Sequence, residues 1–539
     1  MAGKRMATIK AAEQLIDTIY SSGTDTIFSL SGNQIMSAYD AAIDRPVSLI
    51  HTRHEAGAVY MADGYARTSG KVGVALVTAG PGFTNSLGPL FPLSQSQSPV
   101  LLLSGDSPTM KDGQGPFQEL DQSAVAAGLV KQSWRCNNAD RLADDVAGAI
   151  ALARSGRPGP VHLALPEDIL TATVSPTSQA EENFLPEAMP LTSADIHSIL
   201  SILDGAQAPL ILTSPALHPI RSGTLAERLM QAFRIPVITM QSPRGLNDPG
   251  LGQLKKVLKA ADRILLLDKD IDFTLGGGDE SIMPAERVAL IAAEADTIAQ
   301  ASRLISGRLS WGCMADPISA VETLLDQQSG IKGPLKWFDS VKKSLEERPK
   351  PPKSSATPIA WDFLNAIIPE ITGKNPPLLV VDGGEFGQWA QSVLPCENMI
   401  INGLSGAIGG AIPQAIGAAM ANPSRPVIAF MGDGTAGFSF MEIETARKLD
   451  LPVTFIIGND QRWGAEVEIQ IRKYGTDRAE GCMLDDKTSY DRMAIALGAK
   501  GVLAQTADEA ATALAKSLKT GKTTVINCLM NGMPAPSLG

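Results

Sequence analysis

Between residues 426 and 460 the chain places two oxygen-bearing side chains at the ends of what read as consecutive buried strands, a spacing that restricts the fold more than any other feature. The apolar run 426–431 leads into Gly432-Asp433-Gly434, residues 439–448 carry a helical pattern, and 451–457 form the next apolar run before Asn459-Asp460. Twenty-four residues separate Gly434 from Asn459. A crossover of that kind is parallel and right-handed, so both polar ends emerge on one sheet's carboxyl edge, where open α/β sheets bind ligands. The residue types suit a Mg²⁺-diphosphate clamp. Mg²⁺ demands an octahedron of hard oxygens, which the Asp433 carboxylate, the Asn459 amide oxygen, a backbone carbonyl and diphosphate oxygens supply. The glycines let phosphate approach the backbone. Gly-Asp-Gly alone is a common turn, and the strand, helix, strand and Asn around it are what give it weight.

At 539 residues and 44% hydrophobic content, the chain exceeds one core and divides into about three domains. Strand-like runs at 26–30, 47–51, 72–77 and 99–104 alternate with helical stretches, and the first unit closes with Gly156-Arg157-Pro158-Gly159-Pro160 and a strand at 161–165. Residues 171–190 read as a linker. A second unit carries strands at 209–213, 236–240, 263–268 and 287–292 and fades into a charged, Pro-rich second linker at 346–353. The third starts near Pro358 with a strand at 378–382. The expected domains are 1–180, 190–345 and 356–539, each a parallel α/β sheet.

The net charge of −11 leaves no basic stripe for nucleic acid, and no apolar run reaches the roughly twenty residues that span a bilayer. The N-terminal residues enter an amphipathic helix pattern without an apolar signal core, which points to the cytoplasm. Cys136, Cys313, Cys396, Cys482 and Cys528 lack paired spacing and indicate neither zinc nor disulfides.

A second constellation lies in the first unit: His51-Thr52-Arg53-His54-Glu55, followed by the stretch 64–85 with Pro81 and Asn85. A third is Gly403-Leu404-Ser405-Gly406-Ala407-Ile408-Gly409-Gly410. The three together resemble thiamine diphosphate enzymes of the acetolactate synthase-like superfamily, along essentially the whole chain. The resemblance implies three Rossmann-like domains, pyrimidine-binding, central and diphosphate-binding. It gives Glu55 the hydrogen bond to the pyrimidine N1′ that activates the cofactor, in a setting that Ala56, Gly57, Ala58 and Val59 make apolar, while His54 reads as structural. Ile408 becomes the wedge between the cofactor rings and the Gly406 carbonyl an acceptor from its amino group. Asp433, Asn459 and the carbonyl of Gln461 become the Mg²⁺ ligands, with Asp460 replacing the family's second Asn. Pro81, Asn85, Gly384, Glu385, Phe386, Gly432, Gly434 and Thr435 are the remaining expected cofactor contacts. Active sites in this family lie at subunit interfaces, which implies a dimer or tetramer.

Reaction subclass is set by few residues. Gln118, in Phe117-Gln118-Glu119-Leu120-Asp121-Gln122, would face the reacting carbonyl, and Asn33, Gln34, Trp463, Ala465 and Ile469 would complete the substrate pocket. Ile469 and Ala465 stand where acetolactate synthases carry Trp and Met, and Asp270 falls where they carry an Arg. Asp382-Gly383-Gly384-Glu385-Phe386 and the segment 458–465 look closer to 2-hydroxyacyl-CoA lyase and benzaldehyde lyase. Pyruvate decarboxylases carry a Glu at the place of Ala465. A C–C lyase or carboligase is therefore favoured over an acetolactate synthase, an FAD-dependent 2-oxo acid oxidase or a noncatalytic cofactor-binding protein. In the central domain FAD or the ADP part of a CoA ester has little sequence support. The strand at 209–213 lacks a Gly-rich turn, although Gly276-Gly277-Gly278 follow later. Arg221, Arg244, Lys255 and Lys256 could meet CoA phosphates, but scattered cations more often form a solvated face.

Overall fold

The computed structural model describes residues 8–327, 330–350, 352, 357–395 and 397–536. Cys396, part of the second linker and the first seven residues lie outside them. Two compact units emerge, Met1–Glu187 with Pro413–Asn422, and Ala188–Ile412 with Pro423–Gly539. Three parallel sheets of Rossmann-like α/β architecture account for the fold.

The first unit contains a six-stranded sheet in the order Ser48–His51, Thr26–Ser29, Gly73–Val77, Val100–Asp106, Val161–Pro166, Ser133–Arg135, with every pairing parallel. Helices such as Ala11–Ser21 bury Leu15, Ile16 and Ile19 against it. The three-residue edge strand Ser133–Arg135 is half-buried throughout and gives no apolar run. The expected linker at 171–190 begins instead with a strand, Thr173–Val174, paired antiparallel to Ile9–Lys10. Glycine sets one close contact here. A Cβ on Gly64, in the buried helix Glu55–Ser69, would come within 2.0 Å of the Gln414 carbonyl, and one on Gly417 within 1.9 Å of that of Met61. Gln414 Nε2 seals the contact by donating to buried Asp63 (2.6 Å).

The second unit holds two sheets. One runs Val237–Thr239, Pro209–Thr213, Arg263–Leu267, Arg287–Ala292, Leu309–Met314. The other runs Met399–Ile401, Leu378–Val381, Val427–Gly432, Val453–Asn459, Thr524–Leu529, Lys500–Ala504. Hydrogen bonds from Gln241 to the Met399 carbonyl (3.2 Å) and from Ser242 to Gln391 (3.2 Å) tie them into one unit. Gly276 and Gly278 serve packing: a Cβ on either would come within 2.5 Å of the Ile282 or the Ile305 side chain. The helix expected at 439–448 starts earlier and is split, as Asp433–Ser439 and Glu442–Lys448, because the chain enters helix directly from its Gly432 cap. The following strand runs on to Asn459 itself, which pairs with Leu529.

The strand orders fix where ligands can bind. In the first unit successive strands leave Thr26–Ser29 and Gly73–Val77 in opposite directions, and in the second the same reversal falls between Leu378–Val381 and Val427–Gly432. Such switch points open a crevice at the carboxyl ends of the strands. Among the described residues no helix is long and apolar enough to cross a membrane.

Buried His162 fastens the edge of the first sheet, its Nε2 2.8 Å from Ser104 Oγ and its Nδ1 2.7 Å from Ser133 Oγ. Burial pushes its pKa down to about 3 from 6.5. As pH falls the unfolded chain binds this proton first, so the stability from neutral His162 is complete above pH 6.5 and is lost toward pH 3. The slope is about 1.4 kcal/mol per pH unit. Urea midpoints measured between pH 7 and pH 5 are expected to fall less steeply in His162→Gln than in the parent, and equal slopes would remove His162 from the account.

Candidate functional site

At the first unit's switch point, Glu55 opens the helix Glu55–Ser69 and is nearly buried, at 8% exposure. His54 caps that helix, its Nδ1 accepting the Ala56 N–H (3.1 Å). Asn85 Nδ2 donates to Glu55 Oε2 (3.1 Å), and Gly82 lies beside Oε1, where a Cβ would come within 2.7 Å of the Thr78 side chain. Pro81 starts the short helix Pro81–Asn85 after Gly80. A Cβ on Gly80 would fall 2.9 Å from Gln118 Cβ, which brings Gln118 beside this turn. Gln118 holds φ +62 and accepts at Oε1 from Gln34 Nε2 (3.0 Å), and Gln34 Oε1 accepts from Thr78 Oγ1 (2.7 Å). Glu55 with Asn85, and Gln34 with Gln118, thus form two bonded pairs, while Asn33 is exposed.

In the second unit Gly383 and Gly432 cap the helices Gly384–Val393 and Asp433–Ser439, which start at the ends of adjacent strands and turn their backbone N–H groups toward one crevice. A Cβ on Gly432 would meet nothing within 4 Å. One cavity of about 30 Å³ is lined by Gly384, Glu385, Phe386, Asp433, Gly434, Thr435 and Asp460, and a larger one of about 210 Å³ by Arg244, Gly384, Gly406, Ile408, Thr435, Trp463 and Ala465. Burial, and then the charge of Asp460, push Asp433 up to about 7, against hydrogen bonds from the Gly434 and Gln461 N–H groups. Asp460 is held by Arg462 (3.0 Å). Asn459 Nδ2 donates to Asn527 (3.1 Å), which leaves its amide oxygen as the end able to ligate. The Gln461 carbonyl accepts the Leu484 N–H (2.7 Å) and keeps one lone pair for a cation. Among the described residues no three His, Cys, Asp or Glu side chains converge on a metal position.

The remaining expected contacts divide. Ile408 packs over Gly383, where a Cβ would lie 2.6 Å from its Cγ2. Phe386 is core, its ring filling the space beside Gly458. Glu385 accepts the Ala535 N–H, which commits its carboxylate to the C-terminal segment. Ile469 is 40% exposed and lines neither cavity.

Sequence reading missed two elements of this site and the structural role of a third. Segment 482–484 pairs with 461–463 through Trp463 N–H to the Cys482 carbonyl (2.7 Å). The C-terminal segment is anchored by Trp389 Nε1 donating to the Met533 carbonyl (2.9 Å). Asp382 is the third, a buried carboxylate accepting from Gly383 (2.7 Å), Gly409 (3.0 Å) and Ala411 (3.3 Å) N–H groups. Only Asp382 carries a signal, as an acid directly between an apolar strand and two glycines.

Residues 9–125 match the N-terminal TPP binding domain of thiamine pyrophosphate enzymes, and residues 382–528 match the C-terminal TPP binding domain. The chain belongs to the thiamine pyrophosphate enzymes. It is similar to a "Probable acetolactate synthase" of Mycobacterium bovis, 28% identical over 541 residues covering 97% of this chain and 96% of the relative. An acetolactate synthase large subunit of Lactococcus lactis is 27% identical, covering 91% of this chain and 87% of its own. Human 2-hydroxyacyl-CoA lyase 2 is 28% identical, covering 91% and 84%. This thiamine pyrophosphate enzyme is acetolactate synthase-like, with both reaction classes among its relatives.

Removing the Asp382 charge strands buried N–H donors, each worth about 1–3 kcal/mol. Asp382→Asn is expected to lower unfolding free energy by about that much and to speed hydrogen exchange at Gly409 and Ala411. Unchanged exchange would show that Asp382 does not hold the loop.

Proposed function

We propose that this enzyme is a thiamine diphosphate- and Mg²⁺-dependent C–C lyase or carboligase acting on a 2-hydroxyacyl-CoA, a 2-hydroxy ketone or a 2-oxo acid. The observation that carries the cofactor assignment is the crevice between Gly383-Gly384 and Gly432-Asp433, where two helix N-termini meet a buried carboxylate that burial and Asp460 push up to about 7. A cation relieves the crowding of the two acids, and the open backbone at Gly432 admits phosphate oxygens, so the residues fit the group. Asp433, Asn459 and the Gln461 carbonyl would hold Mg²⁺. Thr435 and Gly384 would face the diphosphate, with Gly406 and Ile408 at the other end of the larger cavity.

Bound thiamine diphosphate supplies the means to make or break a bond at a carbonyl carbon. The chain's own part is to move protons and orient the substrate. Glu55 would exchange a proton at Oε1, the oxygen that Asn85 leaves unbonded. With its Oε1 engaged by Gln34, Gln118 presents its amide N–H groups as donors, which suits a substrate oxygen gaining negative charge. Small Ala465 on the larger cavity and Ile469 away from it support a lyase pocket over the synthase pattern. The domain division 1–180, 190–345 and 356–539, a cytoplasmic location, and a dimer or tetramer whose sites combine the Glu55 half of one copy with the Asp433 half of another belong to the same reading.

The test is to supply thiamine diphosphate and Mg²⁺, offer pyruvate, benzoin and a 2-hydroxyacyl-CoA, and follow products by mass spectrometry. Cleavage of benzoin or the CoA ester is expected, falling at least about 100-fold in Glu55→Gln. Acetolactate from pyruvate would replace the lyase reading with the synthase one.

A further inference from the structure

The Arg244 guanidinium of the second unit feels the charges of Asp248 and Glu385, yet its hydrogen-bonding capacity is only partly used. Its turn is rigid. Ser242 Oγ donates to Gln391 (3.2 Å) and accepts the Arg244 N–H (3.3 Å), while Gly245 holds φ +52 so close to Thr274 that a Cβ would come within 2.4 Å of its backbone. From this turn Arg244 lines the cavity of about 210 Å³ alongside Gly384, Ile408, Thr435 and Trp463. Nη2 donates to the Pro536 carbonyl (3.0 Å). Nη1 is buried and has no hydrogen-bond partner among the described residues. A guanidinium N–H shut away from water without an acceptor is a standing cost, and an arginine cannot shed its proton to escape it.

The charges nearby single this arginine out. Arg462, on the neighbouring smaller cavity, is engaged by Asp460 (3.0 Å) and Glu468 (3.1 Å). Glu385, Asp433, Asp460 and Glu466 also line the two cavities, so an entering anion meets acids on several sides. One divalent cation offsets only part of a diphosphate's charge, and a second cation with a free donor is what remains to be supplied.

We propose that Arg244 is an oxyanion-binding residue of this cavity, its guanidinium donating to a phosphate oxygen of the cofactor's diphosphate or to the carboxylate of a substrate. The inference rests on reading the cavity as the thiamine diphosphate site. A planar guanidinium also offers donors in a fork that an ammonium cannot reproduce.

Isothermal titration calorimetry on the full chain with Mg²⁺ tests it, using thiamine diphosphate, inorganic diphosphate and thiamine, and then oxamate on the cofactor-loaded enzyme. In Arg244→Gln, affinity for both diphosphates is expected to fall at least about tenfold with thiamine unchanged, which assigns the phosphate. Unchanged diphosphate affinities with a tenfold loss for oxamate assign the carboxylate. All affinities within about twofold of the parent overturn the proposal. Arg244→Lys, which keeps the charge, is expected to fall between and stands in if the Gln variant does not fold. If the parent binds no thiamine diphosphate, the cofactor reading fails by itself, and the inorganic diphosphate arm still decides for or against Arg244.

Discussion

The C-terminal half of the site depends on one buried carboxylate. Asp382, directly after the strand Leu378–Val381, gathers the N–H groups of Gly383, Gly409 and Ala411 and so fastens a helix start and the Gly403–Gly410 loop to one strand end. Burial raises its pKa to about 6 while the three N–H groups pull the other way, so the carboxylate stays ionised at neutral pH. The far side of the loop is tied as well. Ser439 Oγ donates to the Gly409 carbonyl (2.8 Å), and Gly409 packs so tightly on Phe438 that a Cβ would come within 2.5 Å of its side chain. Ile408 is thereby held over Gly383 by a frame that spans two strand ends, and its position follows from backbone hydrogen bonds more than from its own packing.

The same logic organises each unit. A parallel sheet buries its strands and leaves backbone donors and polar side chains at one edge, and a reversal of strand order opens that edge into a crevice. The first unit places Glu55, Asn85, Gln34 and Gln118 there, and the second places Gly384, Asp433 and Asn459 there. In the first unit the polar groups satisfy one another through neutral amides. In the second they crowd like charges, with burial and then Asp460 raising Asp433. One edge is suited to handling protons and the other to receiving a cation and an anion.

Interior strands were legible because they are continuous apolar runs: 209–213 and 287–292 coincide with observed strands to the residue. Edge strands were legible only in part, at 47–51 and 236–240. Lys500–Ala504 and Leu309–Met314 are largely exposed or half-buried, and their sequences lack the run that marks a buried strand. Thr524–Leu529 is central yet carries Asn527 in its middle, and the structure shows why: Asn527 accepts from Asn459 and donates to Asp491 (3.0 Å). A polar residue that disguises a core strand is there to orient an expected site residue. The helix after Gly432 was placed late because Gly-Asp-Gly reads as a turn, whereas here it is already the first turn of helix.

The division between what was legible and what was not follows chemistry. Residues expected to handle the cofactor sit on glycine turns at strand ends, where backbone geometry restricts the residue types and leaves a pattern with fixed spacing. Those that shape the remaining cavity arrive from places with no such restriction: Arg244 from a turn of the central sheet's layer, Pro536 from the C-terminal segment, and Cys482 to Leu484 from a stretch that pairs with 461–463 only in three dimensions. The sheet from Val237–Thr239 to Leu309–Met314 therefore bears on the site of its own unit. Through the Ser242–Gln391 bond it fixes a cation at the cavity wall, so the part of the chain with the weakest sequence signal bears directly on which anions the site can hold.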